Sequence, residues 1–128
     1  MITKTSAPTT DAPPDSARRR SRLGTARRLL ESAIGKGAVR ELHETGTKVD
    51  VGYWLRKRRV WLCLTDSEVV LFAWGKQPYL DRIPLSQLGE SQYNHITGEL
   101  VLAPAGGVSV PTLRMAPLAA LDVLAQLG

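Results

Sequence analysis

Apolar residues recur along this chain in two rhythms, and the change between them falls at Gly37. Before it, Leu23, Ala26, Leu30, Ala33 and Ile34 are spaced by three and four, as on one face of a helix. Ser21 supplies an N-cap and Gly35 or Gly37 a stop, while Gly24 and Thr25 weaken the interior. The spacing predicts a short basic amphipathic helix over 21–36. After Gly37 the apolar residues gather in short runs of branched and aromatic side chains, the texture of strands. Residues 39–44 and 48–55 read as two strands split by Thr45, Gly46 and Thr47. Residues 60–65 and 68–74 form the clearest hairpin, about a turn at Asp66 and Ser67. Apolar groups on both faces of these arms predict a central position in a sheet.

The remaining pattern continues in the same texture. A turn at 75–78 leads to a strand at 79–85, with Pro84 marking its end or an edge. Residues 86–89 form a turn or a single helical turn. A second hairpin joins 92–96 to 99–103 around Thr97 and Gly98, and a loop at 104–107 leads to a last strand at 108–114, interrupted by Pro111. The segment 117–127 is a helix, for which Pro117 suits the first position. Leu118, Leu121, Leu124 and Ala125 make one apolar face, widened by Val123 and Leu127. With Asp122 as its one charge, most of this helix is expected to be buried. Residues 1–17 are rich in Thr, Ser, Ala and Pro and hold too little apolar surface to offset chain entropy. The organisation read from the pattern is a disordered arm over 1–20, a helix over 21–36 and a folded domain over 38–128.

Composition narrows the function classes. A lone cysteine, Cys63, allows neither an intramolecular disulfide nor a cysteine metal cage, and fits a reducing compartment. The polar, proline-rich start has no leader-like apolar stretch, and the apolar runs at 60–64 and 69–74 are far shorter than the roughly 20 residues of a spanning helix. The expectation is a cytoplasmic chain without a transmembrane segment. The net charge of +5 is unevenly placed. Residues 1–40 carry nine basic groups against three acidic ones, a net +6, and the rest of the chain is near neutral at −1. A basic arm on a near-neutral domain points to an anionic partner.

About seven short antiparallel strands followed by one apolar helix resembles the order of a pleckstrin-homology-like (PH-like) fold. The stretch Arg-Val-Trp-Leu-Cys-Leu-Thr-Asp-Ser-Glu-Val-Val-Leu-Phe over 59–72 resembles the hairpin of bacterial PH-like domains, and Ile-Pro-Leu-Ser-Gln-Leu over 83–88 resembles an element that follows it. The resemblance covers about 41–127. It implies a mainly β (α+β) fold, a bent two-sheet barrel capped by the C-terminal helix. The basic helix before it is not part of that family's pattern.

The resemblance also directs attention to Arg56, Lys57, Arg58 and Arg59, read as a loop between two strands. In lipid-binding PH domains the first hairpin loop carries the basic residues that hold anionic headgroups. Clustered guanidinium and ammonium groups suit phosphate physically, through charge-assisted and partly bidentate contacts. Tyr53 and Trp54 beside them suit a headgroup level. The same four charges would equally serve as a solvated turn that discourages edge association. A second cluster, Arg18, Arg19, Arg20, Arg22, Arg27 and Arg28, suits an anionic membrane, a non-specific nucleic-acid contact or simply the wet face of a packed helix. Nucleic acid is the least favoured of these, because the arm has no aromatic group to stack on bases. Trp61 and Trp74 are expected in the sheet and Trp54 nearer the surface. His43 and His95 have no partner at metal-ligand spacing, and no catalytic set or phosphate loop stands out. The reading is a non-enzymatic binding module without cofactor or metal. Its partner is an anionic lipid surface or, alternatively, a protein bound at a sheet edge or beside the C-terminal helix.

Overall fold

The structure, a computed structural model, describes residues 14–54, 56–104 and 109–127, with the side chains at 14–16 and 19 excepted. The expected disordered arm over 1–13 lies outside them, as do Leu55, the loop residues 105–107 and Val108. Helix α1 (Pro14–Ile34) precedes strands β1 (Glu41–Tyr53), β2 (Arg56–Leu64), β3 (Glu68–Ala73) and β4 (Tyr79–Pro84). Short strands β5 (Gln92–Asn94), β6 (Glu99–Val101) and β7 (Thr112–Arg114) follow, then helix α2 (Pro117–Leu124). The chain is mainly β, with two antiparallel sheets in the orders β1-β2-β3-β4 and β5-β6-β7.

β2 and β3 are central, as their two-sided apolar pattern predicts, and each face has its own cover. Val60, Leu62, Leu64, Val69 and Leu71 point into the main core, where they meet Leu100 and Leu113 of the second sheet and Ala120 and Val123 of α2. Trp61, Cys63, Val70 and Phe72 point to the opposite face and pack against Ala26 and Leu30 of α1. The layers are therefore helix, four-stranded sheet, and small sheet with α2. Their alternation along β2 and β3 follows from the period-2 geometry of a strand.

Several boundaries differ from the sequence reading. α1 begins at Pro14 rather than Ser21. Pro at a first turn loses no hydrogen bond, and the Ala and Arg residues that follow are good helix formers without an apolar stripe to reveal them. The expected break at Thr45, Gly46 and Thr47 is a register irregularity inside one long β1. Thr45 is buried there and its hydroxyl donates to the Val60 carbonyl at 2.6 Å, which satisfies the displaced backbone. The last strand shrinks to Thr112–Arg114, although the Pro111 carbonyl still accepts the Leu102 N–H at 2.8 Å. α2 ends at Leu124 and buries Ala120 and Val123, leaving Leu118 79% and Leu121 54% exposed. The expected burial of its Leu118 face is thus corrected.

Among the described residues the two sheets do not close into a barrel. β1 and β7 meet through the Arg114 N–H donating to Thr47 Oγ1 at 2.8 Å, not through a shared ladder. Strands of three residues in the small sheet offer too few backbone groups for closure. No described helix is long and apolar enough to cross a membrane.

Candidate functional site

The basic run at 56–59 is not a loop but the opening of β2. β1 is long enough to pair with it: Lys48 faces Arg59, Val49 faces Arg58, Asp50 faces Lys57, and Tyr53 faces Arg56. Ladder hydrogen bonds are made by the backbone and do not require apolar side chains, so the hairpin extends through four exposed cations. The turn carries Trp54, which is 88% exposed. Its root is fixed from below. Val51 is fully buried, its carbonyl accepts the Gln77 N–H at 2.7 Å, and Gly52 takes φ +92°, a conformation costly for any residue with a Cβ.

Strand alternation puts Lys57 and Arg59 on the face that carries Trp61, beneath α1; Arg56 and Arg58 start from the other face, although the Arg58 side chain still borders the groove on the α1 side. The Arg58 guanidinium stands 5.2 Å from the centroid of the Tyr53 ring, a cation–π contact. Arg59 reaches Glu44 Oε1 at 3.7 Å. Glu44 also accepts both prongs of Arg22, at 3.1 Å from Nε and 3.2 Å from Nη2. This one carboxylate thus clasps α1 to the sheet. Arg56, Lys57, Arg58 and Lys48 have no carboxylate partner among the described residues.

A groove of about 320 Å³ opens between α1 and this part of the sheet. Arg22, Lys48, Lys57, Arg58 and Arg59 give it a basic lining, Glu44 is its one acidic group, and Trp61 and Trp74 form its floor. The two indoles stack with centroids 6.0 Å apart, and Phe72 lies 5.8 Å from Trp74. Glu44 and Lys48 were not proposed as site residues from the sequence, and Trp74 was read there as a residue of the sheet. Extending an unbroken ladder back from Tyr53 and Arg56 would have set Lys48 opposite Trp61; the two register shifts, between Asp50 and Tyr53 and between Glu44 and Lys48, bring Lys48 to Arg59 and Glu44 to Trp61 instead.

The arginine cluster of α1 is spread rather than gathered. Arg18, Arg20 and Arg28 are exposed, Arg27 is half-buried, Arg22 joins the groove, and the Arg19 side chain lies outside the described set. Burial pushes the Cys63 thiol up to about 11, with Arg27 opposing, so it behaves as a small hydrophobe. Tyr79 is raised by burial and by the hydrogen bond it donates to Asp81 at 2.6 Å. His43 hydrogen-bonds Glu41 at 3.1 Å, which together with Gln126 and Arg40 holds the Glu41 carboxyl below its ordinary value despite burial. His95 is exposed in the turn between β5 and β6. Among the described residues no group of three or more His, Cys, Asp and Glu side chains is placed to hold a metal. No protein-family model, curated protein or solved structure matches the chain.

Proposed function

We propose that this chain is a non-catalytic, PH-like binding module that docks on an anionic membrane surface from the cytoplasmic side, with the β1–β2 hairpin leading. The single observation that carries the reading is the hairpin tip. Trp54 stands 88% exposed at the apex, flanked by half-exposed Tyr53 and followed by four exposed cations. An amphipathic ring beside clustered positive charge suits the level of lipid headgroups, where each basic group near an anionic surface contributes about 1 kcal/mol. The order of seven strands and a closing helix supports the PH-like part of the proposal. Exposed Leu118 and Leu121 on α2 favour a second reading, a protein-interaction scaffold.

Vesicle sedimentation tests the first reading. The protein pellets with phosphatidylserine-containing vesicles at low salt and stays in the supernatant with neutral ones. Trp54→Ser and the Arg56→Glu/Arg58→Glu pair each reduce the bound fraction about tenfold or more. Absence of pelleting with acidic vesicles, or pelleting that survives both changes, ends the membrane reading and leaves the scaffold.

A further inference from the structure

Trp74 belongs to two adjoining hollows. On one side lies the basic groove, and on the other a hollow of about 460 Å³ lined chiefly by Leu29, Tyr53, Phe72, Trp74, Pro78 and Leu80. Both run along α1, the basic half at Arg22 and the apolar half at Leu29 and Ser32. The two hollows meet at Trp74 and, taken as one channel, have a charged end and an oily end. Neither Trp54 nor Arg56 lines it.

Each half lacks a counterpart in the described chain. Lys48 and Arg59 stand directly opposite one another on the same face of a sheet, an arrangement that repels. Lys57 and Arg58 add to the excess, and Glu44 is already engaged by Arg22 and Arg59. An incoming carboxylate would relieve that excess in a partly desolvated setting, with the Lys48 and Lys57 ammonium groups still unpaired. In the other half, Leu29 is 39% and Leu80 42% exposed beside aromatic rings, so apolar surface stays in water next to a ready cleft.

We infer that this channel is a docking site for a linear peptide segment of a partner protein, one that carries an acidic residue and, a few residues along, a large apolar side chain. The inference goes beyond the membrane reading; the channel shares Tyr53, Lys57, Arg58 and Arg59 with that surface but not Trp54 or Arg56. The span from Arg22 to the Leu29–Ser32 turn is about 10–15 Å at the helical rise. At about 3.3 Å per extended residue, that separates the two anchors by roughly three to five positions. The channel is open along its length, which leaves a bound peptide backbone hydrated, whereas an acyl chain laid there would keep one side in water.

The probes are fluorescein-labelled peptides with Glu-Glu at one end, Leu-Phe at the other, and roughly two to five Gly/Ser residues between, in both orientations. Control peptides replace Glu-Glu by Gln-Gln or Leu-Phe by Ser-Ser. With the full chain, at least one probe binds about tenfold or more tighter than both its controls by anisotropy, and shifts the tryptophan emission. Lys48→Glu and Leu80→Ser, both at exposed positions, each weaken it about tenfold, while circular dichroism is unchanged and Trp54→Ser retains binding. Three results overturn the inference: no binding by any probe up to about 1 mM, affinity that follows Glu-Glu alone, or loss of binding with Trp54→Ser. Because Trp54→Ser is expected to weaken vesicle binding and to spare peptide binding, failure of either proposal is read separately from the other.

Discussion

Leu30 is the one large α1 side chain among the described residues that is fully buried, and it holds the helix to the sheet. Among the described residues of α1 only Ala26 is equally buried, with Leu23 and Ile34 half-buried. A helix so rich in arginine has little stability away from a partner surface. Leu30→Ala removes most of the side chain at that contact. Such substitutions cost about 2–5 kcal/mol, and a site between a helix and a sheet can partly collapse, so about 3 kcal/mol is the working figure. That cost falls on docking of the helix rather than on the main core, which lies across the sheet. The undocked population then rises roughly a hundredfold, at about 1.4 kcal/mol per factor of ten. Cys63 reports it directly. It is fully buried in the same cluster as Leu30, and its thiol is pushed up to about 11, so alkylation near neutral pH requires opening. Iodoacetamide should label Cys63 about a hundredfold faster in Leu30→Ala, with the far-ultraviolet signature of the sheets retained. Leu113→Ala, in the core on the other face, should speed labelling only as far as its loss of global stability in urea dictates. The reasoning fails if Leu30→Ala labels less than about threefold faster, or if its labelling follows global unfolding as Leu113→Ala does.

Two further outcomes follow from individual contacts. A Cβ at Gly75 would stand 2.3 Å from Val51 Cγ2 and 2.9 Å from the Val51 carbonyl oxygen. Gly75→Ala should therefore lower stability in urea by about 1–3 kcal/mol, and adding Val51→Ala should cost less than the two separate losses summed. Glu41 has a lowered carboxyl pKa, so its ionised form favours the folded state; its contribution is present above the ordinary value of 4.5 and is lost as pH falls through the lower folded value. Urea unfolding of Glu41→Gln should accordingly show a shallower loss of stability between about pH 5 and pH 3 than the unaltered chain, and an identical slope would refute the assignment.

The sequence disclosed what depends on burial and concealed what does not. The β2–β3 hairpin was legible because Val60, Trp61, Leu62, Cys63 and Leu64 are all buried, which fixes strand type, central position and the turn at Asp66 and Ser67 together. Arg56, Lys57, Arg58 and Arg59 were misplaced into a loop because their strand is set by backbone pairing and not by burial, and on backbone pairing side-chain polarity is silent. α1 was underestimated at its start for a similar reason: Ala17, Arg18, Arg20 and Ser21 are exposed and bury no stripe. The phase of α2 was ambiguous in principle. Leu118, Leu121 and Leu124 form one helical stripe, and Ala120, Val123, Leu124 and Leu127 form another of the same period. The chain entering the helix decides between them, because Met115 is buried and its N–H donates to the Gly98 carbonyl at 3.0 Å. Trp54 was correctly singled out as the exposed indole by its place next to charge, whereas the groove under α1 joins residues from 22 to 80 and had no local signal.

The anchoring of Val51 under the β3–β4 turn has a consequence for how the hairpin meets a partner. Long loops that recognise surfaces surrender conformational freedom when they bind, at about 0.5–1.5 kcal/mol for each immobilised side chain. Here the backbone two residues before Tyr53 is already pinned by a buried side chain and a cross-turn hydrogen bond. The β1 backbone that leads to the indole is therefore anchored at its root before any encounter. A small contact made from such an anchored hairpin forfeits less backbone freedom than the same residues would on a slack loop.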